Sequence, residues 1–231
     1  MNTATNTKEG NPILFWGCFI ALITTAFAFI TRTFLINMPE LWPADFGLDK
    51  VQAQELFGAG IWPFAISIIL FSLIIDKVGY GKAMVFAFAC HVTFAFMTIF
   101  ADGFGMLYWG SVIGALGAGT VEAVINPLIA TIYRDNKTTW LNILHAGWPG
   151  GLVLTGIVVL GISDNMSWQW KIGLILIPTA AYGILMLVSV FPASERVTAG
   201  VSYREMLAEV GWGGAFDHFT VTGNPWFLPL P

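Results

Sequence analysis

Glu122 is the residue whose type and position most invite a chemical reading. It stands in Gly117-Ala-Gly119-Thr-Val-Glu122-Ala-Val-Ile-Asn126-Pro127, about 17 residues into a long apolar stretch with no other acid. A carboxylate at that depth in a bilayer costs on the order of several kcal/mol unless it is neutralised, paired or facing water. Such a group suits the uptake and release of a proton, or else it is held in a structural hydrogen bond. Asn126 lies one helical turn on, so both project from one face. The next apolar stretch carries Asn142, His145 and Trp148. His145 and Trp148 are three apart and share a face, with Asn142 a further turn away. An aromatic ring beside amide and imidazole groups suits a sugar, with its apolar faces and hydrogen-bonding edges. Trp148 taken alone reads equally as packing or as lipid-facing.

Two further positions are candidates. Arg32 lies near the end of the first apolar stretch, ~6 Å below the outer surface by helix rise, whereas Glu122 lies ~25 Å below it. A direct pair between them is not expected. Arg32 either snorkels outward or offers hydrogen bonds to an anion at the outer mouth of a cavity. Trp62 precedes Pro63 in the second stretch, and Trp148 precedes Pro149 in the fifth. Each Trp-Pro falls about ten residues into its own helix, ~15 Å deep and near the midplane, although the two helices enter from opposite sides. An inverted three-plus-three repeat predicts such matching positions, with a kink at each proline; chance recurrence of two common residues is the plainer account. His91, mid-depth in the third stretch, reads as structural.

The elements that must position these residues are helices in lipid. The chain has 56% hydrophobic and 10% charged residues, against about 25% charged in a soluble domain. Six stretches are long enough to cross a ~30 Å core, which needs about 20 helical residues. They fall near 12–36, 53–75, 81–101, 105–133, 139–162 and 170–191. The fold class is therefore all-α membrane protein. Cys18 and Cys90 lie inside apolar stretches and are expected as small core residues. The connections alternate between sides. Lys8, Lys77, Lys82, Arg134, Lys137, Arg196 and Arg204 share one, while only Lys50 and Lys171 are basic on the other, beside Glu40, Asp45, Asp49, Glu55, Asp102 and Asp164. That asymmetry predicts both termini in the cytoplasm, with a multi-pass chain in the cytoplasmic (inner) membrane. Residues 1–11 read as a cytoplasmic tail, 12–192 as the six-helix bundle and 193–231 as a linker-like cytoplasmic tail, in which Tyr203–Val210 is expected as a short amphipathic helix.

The connection between the second and third stretches, Ser72-Leu-Ile-Ile-Asp76-Lys77-Val-Gly79-Tyr-Gly81-Lys82, combines an acid, two lysines and two turn-forming glycines. Asp76 is placed to accept from a neighbouring helix N-terminus; the bland alternative is a solvated basic turn. Its Asp-Lys-x-Gly core resembles the hinge loop Gly-x-Leu-x-Asp-Arg-x-Gly-Arg-Lys of the major facilitator superfamily, with Ser72 for the first glycine, Ile74 for the leucine and Lys77 for the arginine. Gly-x-Gly-x-x-Glu122-x-x-x-Asn126, followed by Leu141-Asn142-Ile-Leu-His145 and Gly150, resembles the fucose-permease-like sugar porters over roughly residues 12–191.

That resemblance implies half of a major facilitator fold, a 3+3 inverted repeat working by alternating access. Trp62, Glu122, Asn126, Asn142, His145, Trp148 and Arg32 would then contact the substrate, Glu122 would couple protons, and Asp76, Lys77, Gly79 and Lys82 would form the conformational hinge. The family's helix-one acid has no match, since Arg32 stands in that helix and Glu40, the nearest acid, falls in the outer loop. Proton coupling is thus left open, as is a sugar or a sugar acid as solute. The implied partners are the lipid bilayer, a small polar solute, protons, and either a missing C-terminal half or a second six-helix chain. A non-transporting six-helix accessory subunit of a membrane complex is the alternative. Metal-ligand spacing, a nucleophile elbow, a P-loop and a basic aromatic surface are all lacking, so neither enzyme, cofactor, metal nor nucleic acid is expected.

Overall fold

The computed structural model describes residues 10–37, 46–161, 166–202 and 205. Lys8, Glu40, Asp45, Asp164, Arg204 and most of the expected Tyr203–Val210 helix lie outside them. Ten helices form among the described residues: α1 (Pro12–Asn37), α2 (Lys50–Ala59), α3 (Trp62–Val78), α4 (Tyr80–Ile99), α5 (Phe104–Ile132), α6 (Lys137–His145), α7 (Gly147–Gly161), α8 (Trp168–Gly173), α9 (Leu176–Leu187) and α10 (Glu195–Thr198). Six spans are long and apolar enough to cross a membrane: Pro12–Thr33, Lys50–Val78, Tyr80–Ile99, Phe104–Ile132, Lys137–Val159 and Trp168–Leu187. Each falls on one of the six expected stretches.

Three of the described spans are interrupted, each two to four residues ahead of a proline. In the second, Gly60 N–H donates to the Phe57 carbonyl at 3.1 Å and Ile61 N–H to Gly58 at 2.8 Å, a tightened turn before Pro63. In the fifth the break is milder. Ala146 N–H still reaches the Asn142 carbonyl at 3.2 Å, and Gly150 N–H reaches Ala146 at 3.0 Å. Pro149, lacking an N–H, leaves the His145 carbonyl without its helical donor. The sixth span breaks at Leu174–Ile175, ahead of Pro178, a bend that the Trp-Pro pattern does not signal. Pro127 interrupts nothing, because α5 runs through it.

Packing reveals the repeat. The fourth span packs most extensively on the third and second, and the first span packs most extensively on the sixth and fifth. Exchanging spans one to three with spans four to six converts one set of contacts into the other. The two repeats are therefore interleaved, each leading span buried against the other repeat. Polar side chains stitch these seams, as is usual where lipid removes the hydrophobic incentive between helices. Ser67 Oγ donates to the Leu116 carbonyl at 2.7 Å and lies 2.9 Å from Thr120 Oγ1, joining spans two and four. His91 Nδ1 meets the Tyr182 hydroxyl at 3.0 Å, joining spans three and six, in keeping with a structural histidine. Cys18 and Cys90 are buried free thiols. Ile69, Leu70, Val153, Ile157 and Leu187 are exposed apolar side chains on the outside of the bundle.

Close approach of the fourth span to the second depends on Gly119, where a Cβ would collide with the Phe64 carbonyl. Backbone on the far side of that contact cannot swing away as a side-chain tip would. Gly119→Val is expected to destabilise the fold by about 1–3 kcal/mol, the usual cost of overpacking. Gly105, with open space around its Cβ position, is the matched site: Gly105→Ala should leave the melting temperature within about a degree or raise it slightly. Thermal unfolding of both purified variants tests the contrast.

Candidate functional site

Five of the seven sequence candidates line three separate cavities, and Asn142 and His145 line none of them. Glu122 and Asn126 come together, as their four-residue spacing requires, and line a cavity of about 510 Å³ between the second and fourth spans. The amide Nδ2 of Asn126 donates to the Glu122 carbonyl at 3.1 Å, while its buried Oδ1 has no partner among the described residues. The cavity runs down to Ser72, Asp76 and Tyr80, and Ser194, Glu195 and Arg196 close its lower rim. Glu122 thus borders a passage that leads toward the Asp76 turn. His145 is exposed on α6 and lines none of the cavity.

Arg32 and Trp148 meet in a second cavity, of about 220 Å³, between the first, second, fourth and fifth spans. Arg32 is 7% exposed, so it does not snorkel outward. Its Nη2 donates to the Gly60 carbonyl at 3.4 Å, and its Nε is buried without a partner. Phe29 lies beneath the guanidinium at 5.9 Å and beside Trp148 at 5.9 Å between ring centroids. Glu122 and Arg32 form no ion pair and line different cavities, as their depths predict.

Trp62 goes elsewhere. It is 48% exposed and lines a third cavity with Glu55, Ala59, Phe104 and Tyr108. Trp148 lies in the second cavity, so the two Trp-Pro tryptophans do not share a site. Asn142 is exposed on α6 and borders none of these three cavities.

The turn between the second and third spans is built around Gly79, whose φ of 86° and ψ of 148° serve as C-cap of α3 and N-cap of α4. That conformation is essentially restricted to glycine. Asp76 was expected to face a helix N-terminus. Its Oδ2 lies 3.9 Å from Nη1 of Arg196, in the first turn of α10, and neighbouring Glu195 pairs with Arg134 at 3.2 Å. Three connections on one side are thereby linked: the Asp76 turn, the Arg134 turn and the segment after the sixth span. Sequence reading missed Gly60, Phe29 and the Glu195–Arg196 pair as parts of these sites. The signal for Gly60 was its place ahead of Trp62-Pro63, and for the pair it was Ser194, whose side chain caps α10.

Two interleaved three-span repeats of apolar helices, with the second and fifth spans broken ahead of a proline, define the class: a six-helix membrane bundle. The family model of the Major Facilitator Superfamily matches residues 19–228, and the chain belongs to that family. It is 26% identical over 222 residues to the Acurin A biosynthesis cluster MFS-type transporter of Aspergillus aculeatus, covering 90% of this chain and 38% of that protein. The chain therefore spans about two fifths of that relative's length. Its fold is similar to the inward open conformation of the xylose transporter XylE from E. coli, with TM-score 0.67 at 12% identity, covering 85% of this chain and 51% of that one. It is likewise similar to the proton:xylose symporter XylE bound to 6-bromo-6-deoxy-D-glucose, with TM-score 0.62 at 13% identity, covering 86% and 48%. The six-helix bundle is thus half of a major facilitator fold, in a multi-pass membrane protein.

Gly79→Ala is expected to cost about 1–3 kcal/mol, the strain of placing a side chain in that backbone region. Gly103, extended and with open space at its Cβ position, should accept alanine with little change. Thermal unfolding of the two variants separates turn strain from loss of a glycine as such.

Proposed function

We propose that this chain forms the N-terminal half of a secondary transporter that carries a sugar or related small polar solute by alternating access. Both termini lie in the cytoplasm in this reading, with residues 1–11 as a tail and 193–231 as a linker toward six further helices. The observation that carries it is Glu122, an intramembrane carboxylate bordering a cavity that leads to the Asp76 turn. Intramembrane carboxylates of this kind mark ion and proton pathways by default, because their burial is otherwise too costly to persist. Glu122 is the proton-coupling group, with Asn126 orienting the turn beside it. Trp148 and Arg32 contact the solute from the first and fifth spans. Asn142 and Trp62, exposed on the bundle, reach the solute only with the second half in place. Asp76, Lys77, Gly79 and Lys82 form the hinge turn, whose ion pair to Arg196 exchanges between the two states. The fold shared with a proton:xylose symporter supports the sugar and coupling parts of the reading by likeness of architecture.

The full gene product, reconstituted in liposomes, should accumulate solute when the outside is acidified. Glu122→Gln should abolish that accumulation, lowering proton-driven uptake at least tenfold, while solute counterflow without a gradient continues. Proton-driven uptake that survives the substitution would remove Glu122 from the coupling role.

A further inference from the structure

Arg32 poses a physical problem that the proton-coupling reading does not address. A guanidinium 7% exposed within a membrane bundle is tolerable only if its charge is matched. Among the described residues no carboxylate lies within ion-pair distance of it. Its one hydrogen bond, to the Gly60 carbonyl at 3.4 Å, is long, and its Nε is left unpartnered. A carbonyl dipole does not neutralise a full charge. Of the described residues lining the adjoining cavity of about 220 Å³, Arg32 alone is charged.

The walls of that cavity say what would sit there. Phe29 and Trp148 present aromatic surface, and Phe64, Ala115 and Ala118 are apolar. The volume lies below the range of drug-sized sites, about 300–1,000 Å³, yet admits a small head group with a ring edge. A guanidinium's planar fork matches the two oxygens of a carboxylate in bidentate fashion. Hydroxyl groups alone would leave the buried charge unmatched. Both the position and the donor set call for an anionic group attached to an otherwise amphipathic small molecule.

We propose that Arg32, held by Gly60 and flanked by Trp148, is the carboxylate-binding subsite for the transported solute, so that the solute is a sugar acid rather than a neutral sugar. This rests on the transport reading above but commits to a substrate class. Gly60 is part of the device, since a Cβ there would collide with the guanidinium and drive it out of the cavity.

Calorimetric binding to the full gene product in nanodiscs tests it with three probes: galactose, galacturonate and gluconate. The intact protein should bind at least one of the two acids tenfold or more tighter than galactose. Arg32→Gln should erase that preference, and Arg32→Lys, which keeps the charge without the fork, should restore part of it. Equal affinity for galactose and the acids, or galactose bound tighter, overturns the carboxylate subsite while leaving sugar transport standing. Binding of none of the three overturns the solute reading itself, and the subsite with it. The wild-type comparison holds even where Arg32→Gln fails to fold, and Gly60→Ala supplies a second variant, expected to lower acid affinity tenfold or more by displacing the guanidinium.

Discussion

Hydrocarbon offers no hydrogen bonds, so every main-chain N–H and C=O of the bundle must be satisfied from within the protein. The helices meet that demand along most of their length, and the places where they do not organise the rest. At Gly60–Ile61 the second span loses its regular ladder ahead of Pro63, tightening into short turns. The freed Gly60 carbonyl draws the Arg32 guanidinium in from the first span. At Ala146 the corresponding break is almost healed. Two equivalent positions in the repeat thus differ in how far the helical ladder is broken, and the arginine sits at the larger break.

Interleaving of the repeats follows from the same scarcity of driving force between helices in lipid. Packing and a few hydrogen bonds must hold the seams, which is why small residues and hydroxyls recur along them. Gly119 lets the fourth span reach the Phe64 carbonyl, and Ser67 and Thr120 bond beside it. Threonines elsewhere turn inward onto their own helices, as when Thr31 bonds to Phe27 at 2.7 Å and Thr179 to Ile175 at 2.7 Å. Mid-depth polarity is thereby consumed locally. Arg32 Nε, Asn126 Oδ1, His91 Nε2 and Thr155 Oγ1 are the buried side-chain atoms left without partners among the described residues.

Charge is arranged differently at the surface. Asp76–Arg196 links a turn of the first repeat to the segment after the sixth span, and Arg134–Glu195 links that segment to a turn of the second repeat. Arg134 and Glu195 are each 60% exposed, so their pair is worth well under about 1 kcal/mol. Pairs this weak can exchange at small cost, whereas the buried seams between spans cannot. A bundle with firm seams and labile surface latches is suited to move as a body.

Sequence alone determined the class and the spans. Length and apolarity of six stretches leave no other solvent than lipid, and the helix rise fixes the depths of Glu122, Trp62 and Trp148. The pairing of Glu122 with Asn126 was legible because four residues on one helix have only one relative placement. The rest shares a cause, since each part of it depended on how separate helices meet. Trp62 and Trp148 hold matching positions in their spans yet line different cavities, because each faces the neighbours of its own helix. For Arg32 the sequence left both a snorkelling and a cavity-facing reading open, and only the packing of the first span against Gly60 decides between them. Asp76 finds Arg196, 120 residues away, through a closure that no local pattern encodes. Depth along a helix is a one-dimensional quantity that the sequence carries; rotation about its axis is decided by neighbours, and only the tertiary structure supplies them.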